Sequence, residues 1–157
     1  MTAHIVKQLP LPVFSARKSE LRTQFAALCW RIKAQKIEIL MITTRRSGRW
    51  VIPKGWPMGG VTPGESAAQE AWEEAGVKGE VDQRPLGLFS YVKETENDLD
   101  LPCVAMVYGV RVKSLSKAYP EMKERKRKWM SRKKAAAAVD SPELSRILRD
   151  FDPRRQH

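Results

Sequence analysis

The chain has 157 residues, of which 42% are apolar, and this is enough for one compact domain with its own core. No run approaches the roughly 18 consecutive apolar residues of a membrane span, and the N-terminus lacks the basic-then-apolar pattern of a secretory signal. The sequence therefore predicts a soluble, cytoplasmic protein without a membrane partner. Because 29 Lys and Arg outnumber 18 Asp and Glu, the formal charge is +11 and the expected partner is anionic.

Apolar runs of strand length dominate the first part of the chain after an N-terminal arm at residues 1–20. Residues 25–32 and 37–43 are separated by a short polar stretch and predict a β-hairpin. Residues 50–52 predict a further short strand. These elements open the domain that we expect to span residues 21–152.

A helix with clear ends is predicted between Thr62 and Gly76. Thr62, Pro63 and Glu65 fit an N-cap, a first helical residue and a capping-box glutamate. Gly76 fits the left-handed residue that commonly ends a helix. Apolar residues recur at i, i+3, i+4 and i+7, so one face is expected to pack on a core: Ala68, Ala71, Trp72 and Ala75.

Three glutamates lie beside the apolar stripe of this helix. Glu70, Glu73 and Glu74 follow the i, i+3, i+4 relation, which places them on one edge. Hard cations such as Mg²⁺ or Mn²⁺ prefer oxygen ligands of this kind. An acidic edge is also commonly just solvated, so spacing alone leaves both interpretations open. The well-specified helix favours the metal site.

The second half of the chain predicts more strands and then helices. Four strands are expected at residues 80–84, 88–93, 103–112 and 125–130. Polar connections are expected at residues 94–100 and 113–120, and a tail at residues 153–157. Ser131 and Ser141 fit the N-caps of two closing helices. The order of elements gives an α+β fold, with helices packed against a mixed β-sheet.

The segment from Gly55 to Val77 resembles the Nudix box, G-x5-E-x7-R-E-U-x-E-E-x-G-U, in which U is a bulky aliphatic residue. The matching positions are Gly55, Glu70, Glu73, Glu74 and Gly76. The preceding W-x-x-P-K-G run, residues 50–55, resembles that of Nudix hydrolases acting on diphosphoinositol polyphosphates and dinucleoside polyphosphates. The resemblance extends over roughly residues 24–151. It implies a Nudix-like α-β-α sandwich.

Two positions depart from the box. Val61 stands where the pattern has its first glutamate, and Gln69 where it has arginine. Placing the start of the pattern at Gly59 instead leaves its middle four residues too short, so we retain the register that begins at Gly55. The departures bear on rate and loop rigidity more than on the reaction class. A box without activity is the alternative.

The resemblance implies metal-dependent hydrolysis of phosphoanhydride bonds in X-linked diphosphates, with diphosphoinositol polyphosphates or dinucleoside polyphosphates as the favoured substrates. Glu70, Glu73 and Glu74 would then be the metal-binding and catalytic residues, with Mg²⁺, or Mn²⁺ as the alternative, as the cofactor. The general base stays open among Glu70, Glu73, Glu94, Glu96, Glu121 and Glu124. A non-catalytic nucleotide- or RNA-binding module on the same fold is the alternative function.

Cations gather next to the box, where Arg and Lys attract phosphate through charge-assisted hydrogen bonds. The predicted substrate-binding set is Arg45, Arg46, Arg49, Lys54 and Gly55. A second basic stretch, residues 113–134, has few aromatic residues for stacking on bases, so a polyphosphorylated small molecule is favoured over nucleic acid. Alternation along residues 125–129 places Arg125, Arg127 and Trp129 on one face and Lys126 and Lys128 on the other. Two interpretations stay open: one of these basic sets lines the site, or the strand is a solvated edge. The sequence leaves the oligomeric state undetermined.

Overall fold

The computed structural model describes residues 22–93 and 101–155, which form a mixed β-sheet with helices packed on both of its faces. The elements in chain order are β1 (Arg22–Lys33), β2 (Lys36–Thr43), β3 (Trp50–Val51), β4 (Lys54–Gly55), α1 (Pro63–Ala75), β5 (Val77–Lys93), β6 (Leu101–Leu115), β7 (Arg127–Ser131), α2 (Arg132–Ala138) and α3 (Pro142–Asp150). The predicted N-terminal arm and the predicted loop at residues 94–100 lie outside the described residues.

The sheet has the strand order β3-β2-β1-β6-β5, with β4 paired to β1 and β7 paired to β2. Strands β1 and β6 run parallel, and the other pairs are antiparallel. The predicted hairpin is confirmed as β1 and β2. Ala34 and Gln35 form its two-residue turn with φ of 51° and 67°, the left-handed backbone that such tight turns require.

Two boundaries expected from the sequence were wrong. Residues 80–84 and 88–93 belong to one strand, β5, and not to two. The pairing of β5 with β6 continues past Pro85 through register shifts around Val81, Pro85 and Gly87. Irregular pairing therefore accommodates Pro85, a residue type that usually interrupts a strand. Strand β6 likewise extends to Leu115, three residues into the expected connection at 113–120.

Alternating side chains of the central strands build two cores, one on each face of the sheet. Ala26 and Leu28 of β1 pack with the α2 and α3 layer, which contributes Leu148. Ala27 and Cys29 face the other way, towards the buried alanines of α1: Ala67, Ala71 and Ala75. The small alanines bring α1 close to the sheet, and this closeness sets the depth of its acidic edge.

Both ends of α1 are as predicted. The Thr62 hydroxyl accepts a hydrogen bond from the Glu65 N–H at 3.1 Å, and the Glu65 carboxylate accepts one from the Thr62 N–H at 2.9 Å, which completes the capping box. Gly76 adopts φ 69° and donates to the Trp72 carbonyl at 2.9 Å. Arg127 of β7 donates to the Ala75 carbonyl at 2.7 Å, so a cation satisfies the negative end of the helix dipole.

Replacing Gly76 with Ala is expected to lower the free energy of unfolding by about 3 kcal/mol, because the left-handed backbone disfavours a Cβ and the added atom meets neighbours. That Cβ would lie 2.5 Å from Cδ1 of Tyr119 and 2.8 Å from Nη1 of Arg127. Gly60→Ala is the matched control, since Gly60 also has positive φ but nothing within 4 Å of the added atom. Urea denaturation should show a loss of only about 1 kcal/mol for the control. Equal losses would exclude the contact with Tyr119 as a cause.

Candidate active site

A cavity of about 980 Å³ opens between β4, the acidic edge of α1, the end of β5 and the loop after β2. Its cationic lining residues are Arg45, Arg46, Arg49, Lys54, Lys93 and Arg125. Its carboxylates are Glu70, Glu74, Glu121 and Asp140, and its aromatic side chains are Trp50, Trp56, Phe89 and Tyr91. All five predicted substrate-binding residues line this cavity, Gly55 among them, and so do two of the three predicted metal ligands.

The first of these carboxylates, Glu70, lies against the backbone of β4. A Cβ placed on Gly55 would overlap the carboxyl group of Glu70, so any other residue there would force that carboxyl group to move. Burial raises the pKa of Glu70, whereas a hydrogen bond from the Glu74 side chain lowers it. Gly55 therefore belongs to the site because of the space that it leaves.

Glu74 is the most deeply buried of the acidic side chains in this cavity, with 7% of its surface exposed. The Lys54 N–H donates to its Oε1 at 3.3 Å, and Nη2 of Arg125 lies 3.8 Å from its Oε2. Burial raises the pKa of Glu74 to about 8, and the hydrogen bond to Glu70 adds to the rise against the opposing charge of Arg125. Near neutral pH this shift favours the protonated form of Glu74, whose carboxyl group can donate a hydrogen bond to the Glu70 carboxylate.

The raised pKa of Glu74 predicts that metal-free protein loses stability as pH rises from about 4.5 to about 8. In that interval the unfolded chain has released the Glu74 proton and the folded chain keeps it, so folding binds a proton. The free energy of unfolding should fall by at most about 1.4 kcal/mol per pH unit from this group. Lys54, whose pKa burial lowers to about 8, is protonated in both states below that pH and adds no slope there.

The measurement for this pH dependence is urea denaturation in EDTA at about pH 5.5 and about pH 7.5. The uncharged variant Glu74→Gln serves as the comparison, because it lacks the titrating group and cancels the contribution of all others. The difference in stability between variant and wild type should grow in the variant's favour at the higher pH. A constant difference would show that Glu74 titrates normally.

Lys54 lies under the aromatic wall of the cavity. Its Nζ is 4.7 Å from the centre of the Tyr91 ring, a cation-π distance. Burial lowers the pKa of Lys54 to about 8, and the neighbouring Glu74 opposes this effect. An anionic phosphate entering the cavity would favour the charged amine, which suits the predicted role of Lys54 as a phosphate contact.

The third predicted ligand, Glu73, is placed differently from the other two. Its carboxylate accepts a hydrogen bond from Gln69 Nε2 at 2.9 Å, and it does not line the cavity. Gln69 stands where the Nudix box has arginine, so this departure ties Glu73 to the solvated side of the helix. Val61, the other departure, is 44% exposed just before the N-cap. Among residues 22–93 and 101–155, no three side chains of His, Cys, Asp or Glu are placed to hold a metal ion together.

Two residues from the segment before β7 complete the site. The Glu121 N–H donates to the Glu73 carbonyl at 3.0 Å, and the Glu121 carboxylate accepts from Arg125 Nε at 2.8 Å. Arg125 is only 10% exposed and also donates to the Thr43 carbonyl at 3.2 Å. The sequence left Glu121 unranked among the base candidates and placed Arg125 in a basic set that either lines the site or is solvated. Their i, i+4 spacing was the available signal.

The remaining candidates for the general base differ in whether they line the cavity. Glu124 pairs with Arg45 at 3.1 Å on the surface and is not a lining residue of the cavity. Glu94 and Glu96 lie outside the described residues. Glu121 is therefore the one candidate outside the box, among those that the structure describes, that lines the cavity.

The basic strand β7 contributes structure rather than cavity lining. Arg127 binds the end of α1, and Trp129 packs under the Arg31 guanidinium at 4.0 Å. The opposite face of this segment carries two exposed cations, Lys126 and Lys128. Of the set that shares a face with Arg127 and Trp129, Arg125 lines the cavity, whereas Lys126 and Lys128 do not. The interpretation that a basic set lines the site is therefore correct for Arg125, and the solvated interpretation is correct for Lys126 and Lys128.

The arginines of the loop after β2 form the outer rim. Arg49 donates to Asp140 Oδ2 at 3.2 Å and to Ser47 Oγ at 2.9 Å, while Arg45 is held by Glu124. Lys93, which the sequence analysis did not select, lies 6.0 Å from the centre of the exposed Trp56 ring. The cavity therefore combines a deep carboxylate pair with a cationic rim, as binding of a highly phosphorylated anion requires.

Within residues 22–93 and 101–155, two adjoining carboxyl groups and no third are placed as oxygen donors for a hard divalent cation. Glu70 and Glu74 adjoin each other, and the charge of nearby Glu121 contributes to the raised pKa of Glu70. Burial raises the pKa of both carboxyl groups, and a bound cation would oppose that rise by favouring their charged forms. Oxygen ligands with room for water are what Mg²⁺ and Mn²⁺ prefer.

Comparison with known proteins assigns the class. A model of the NUDIX domain matches residues 22–151. The chain belongs to the NUDIX domain family. It is 31% identical over 119 residues to Nudix hydrolase 12, mitochondrial, of Arabidopsis thaliana, covering 74% of this chain and 59% of that protein. It is 33% identical over 106 residues to human diphosphoinositol polyphosphate phosphohydrolase 3-beta, covering 66% of this chain and 60% of that protein.

The chain spans about three fifths of the length of these curated relatives. Among solved structures, a Caenorhabditis elegans Ap4A hydrolase binary complex matches with a TM-score of 0.60 and 19% identity, covering 82% of this chain and 93% of that one. The NUDIX domain of Shewanella oneidensis NrtR, complexed with ADP ribose, matches with a TM-score of 0.60 and 12% identity. The match covers 95% of this chain and 96% of that one. These likenesses confirm the predicted sandwich of a mixed sheet between helices.

In the part of the chain that the structure describes, no helix is both long and apolar enough to cross a membrane.

Proposed function

We propose that this chain hydrolyses a phosphoanhydride bond of a polyphosphorylated small molecule in the presence of Mg²⁺. The observation that carries the proposal is the cavity in which the Glu70–Glu74 carboxyl pair faces a set of cations. Membership of the NUDIX domain family supports it, since curated relatives are named as hydrolases. Diphosphoinositol polyphosphates and dinucleoside polyphosphates are the proposed substrates, because relatives carry both substrates in their names.

The carboxylates have the first role in this mechanism. Glu70 and Glu74 would hold the metal ion, with Glu73 completing the set from the neighbouring edge of α1. Bound there, Mg²⁺ or Mn²⁺ supplies charge neutralisation of the phosphates and a more acidic water. Nη2 of Arg125 lies 3.8 Å from Oε2 of Glu74 and would favour the charged form of Glu74 that binds a metal ion.

The cations have the second role. Lys54, whose backbone N–H donates to Glu74, would bind the phosphate that is attacked, while Arg45, Arg46 and Arg49 would bind the other phosphates. Water attacks phosphorus, the bridging P–O bond breaks, and the proton of the water passes to a carboxylate. Glu121 is the proposed acceptor outside the box, because it lines the cavity close to Glu70.

The test is a panel of substrates assayed for release of phosphate or mononucleotide. Diphosphoinositol pentakisphosphate, Ap4A and ADP ribose are each incubated with Mg²⁺, Mn²⁺ or EDTA, and rates are compared at saturating metal. We expect release that requires metal, ranked in favour of the first two substrates. Release in EDTA would contradict the metal dependence.

The alternative is a non-catalytic module that binds a nucleotide or RNA. It predicts binding without Mg²⁺, a steep dependence of affinity on salt, and no product from any member of the panel. Absence of product from every substrate of the panel, together with tight and salt-sensitive binding, would establish this alternative.

A further inference from the structure

A second cavity, of about 590 Å³, lies towards the opposite ends of β1 and β5 from the active site. Its lining comes from Trp30 of β1, residues 80–86 of β5, part of β6 and the end of α3. It shares no lining residue with the active-site cavity. Its volume is within the range of about 300–1,000 Å³ in which proteins bind small molecules.

The floor of the second cavity is aromatic and apolar. The rings of Trp30 and Phe151 pack with centroids 5.8 Å apart. Gly109 of β6 has no side chain to fill the space between these residues. A Cβ there would lie at ordinary contact distances, 3.6 Å from Leu86, 3.7 Å from Trp30 Nε1 and 3.8 Å from Phe151. Leu86 is 41% exposed, which is high for a large apolar side chain in a strand. A planar apolar group would cover these surfaces.

Four carboxylates and four guanidinium groups line the second cavity, and three further cations beside it add positive charge: Lys113, Arg149 and Arg154. Each of its four carboxylates is paired with a cation, in the pairs Glu80–Lys113, Asp82–Arg84, Asp150–Arg149 and Asp152–Arg154. Arg111 and Arg146 form no salt bridge within residues 22–93 and 101–155, although Arg111 contributes to lowering the pKa of Glu80. Arg111 lies 5.9 Å from the centre of the Trp30 ring. Two cations therefore stand beside the aromatic floor without a carboxylate of their own.

We propose that the second cavity binds a small aromatic anion, with its ring on the Trp30–Phe151 floor and its charged group between Arg111 and Arg146. The aromatic floor would contact the ring of such a ligand, and the guanidinium groups of the rim would contact its charged group. Inorganic phosphate alone would leave the apolar floor in water, and a neutral hydrocarbon would leave the guanidinium groups without an anion. An aromatic anion satisfies both surfaces.

The test uses the aromatic sulfonate 8-anilinonaphthalene-1-sulfonate as the probe. The active-site cavity is also cationic and aromatic, so the readout must locate the probe. The chain has five tryptophans, whose indole N–H groups are separate NMR probes. Trp30 lines the second cavity, whereas Trp50 and Trp56 line the active site. We expect the Trp30 indole signal to shift with the same saturation curve as the fluorescence of the probe.

Variants make the assignment specific. Gly109→Ala places a methyl group in the floor at ordinary contact distances, so the fold is retained while the cavity is reduced. Gly109→Ala and Arg146→Gln should each weaken binding by about three- to tenfold, and the two together by more. Lys133→Gln is the control of equal charge change, because Lys133 is exposed on α2 and lines neither cavity.

Hydrolysis of the panel substrates should be unchanged in Gly109→Ala and Arg146→Gln, which separates this site from the active site. The proposal is overturned if the Trp30 signal does not move at saturating probe, or if Lys133→Gln weakens binding as much as Arg146→Gln. It is also overturned if only Trp50 and Trp56 respond, since the probe then occupies the active site.

Discussion

Replacing Glu74 with Gln is expected to lower metal-dependent hydrolysis by about three orders of magnitude while the protein stays folded. Gln has the shape of the carboxyl group and can donate to Glu70 as protonated Glu74 does, but it cannot carry negative charge. The buried position, with 7% exposure and an ion pair to Arg125, leaves no solvent to substitute for that charge. The variant should therefore bind Mg²⁺ more weakly and turn over slowly.

The measurement is the rate of product release at saturating substrate over a range of Mg²⁺, with circular dichroism as the check on folding. Glu38→Gln is the matched control, since Glu38 makes a salt bridge with Arg31 and lines neither cavity. Near-full turnover of Glu74→Gln would refute the assignment. Glu73→Gln is the companion variant, and a loss of the same size would place Glu73 among the metal ligands despite its bond to Gln69.

Replacing Gly55 with Ala is expected to reduce hydrolysis by about a hundredfold, because the added methyl group occupies the space of the Glu70 carboxyl group. Gly55 pairs with Phe25 through the β1–β4 ladder, so the backbone is held in place and the side chain of Glu70 must move instead. A displaced Glu70 no longer adjoins Glu74. Loss of rate should therefore come with a higher requirement for Mg²⁺.

Gly59→Ala is the matched control for this substitution. Gly59 lies in the same loop, but a Cβ there meets nothing within 4 Å, and its backbone does not require glycine. Its rate should equal that of the wild type. If Gly55→Ala keeps both the wild-type rate and the wild-type Mg²⁺ dependence, then the contact with Glu70 has no part in catalysis.

The sequence was sufficient for the elements that depend on near neighbours. The start of α1 at Thr62–Glu65, its end at Gly76 and the caps of α2 and α3 were all correctly predicted, since capping groups lie within four residues of what they cap. The interruption of β5 at Pro85 was the main error in the strands. Local preference pointed to a break there, and pairing with β6 overrode it.

The residues of the site show the same difference between what near neighbours determine and what tertiary contacts determine. Helical periodicity places Glu70, Glu73 and Glu74 on one edge of α1, and the resemblance to the Nudix box gives that edge a metal-binding role that remains a prediction. Periodicity cannot say which carboxylates face each other. That choice depends on the β4 backbone opposite Glu70 and on a hydrogen bond from Gln69 that holds Glu73 away from the cavity.

By itself, then, the sequence determined the helix, its acidic edge, the cationic set around Lys54 and the family to which they point, because these are properties of adjacent residues. Only the tertiary structure decided that Glu74 is buried beside Glu70 with a raised pKa, and that Arg125 and Glu121 arrive from about fifty residues away. Burial and charge pairing shift pKa values through space, and the sequence does not record those distances.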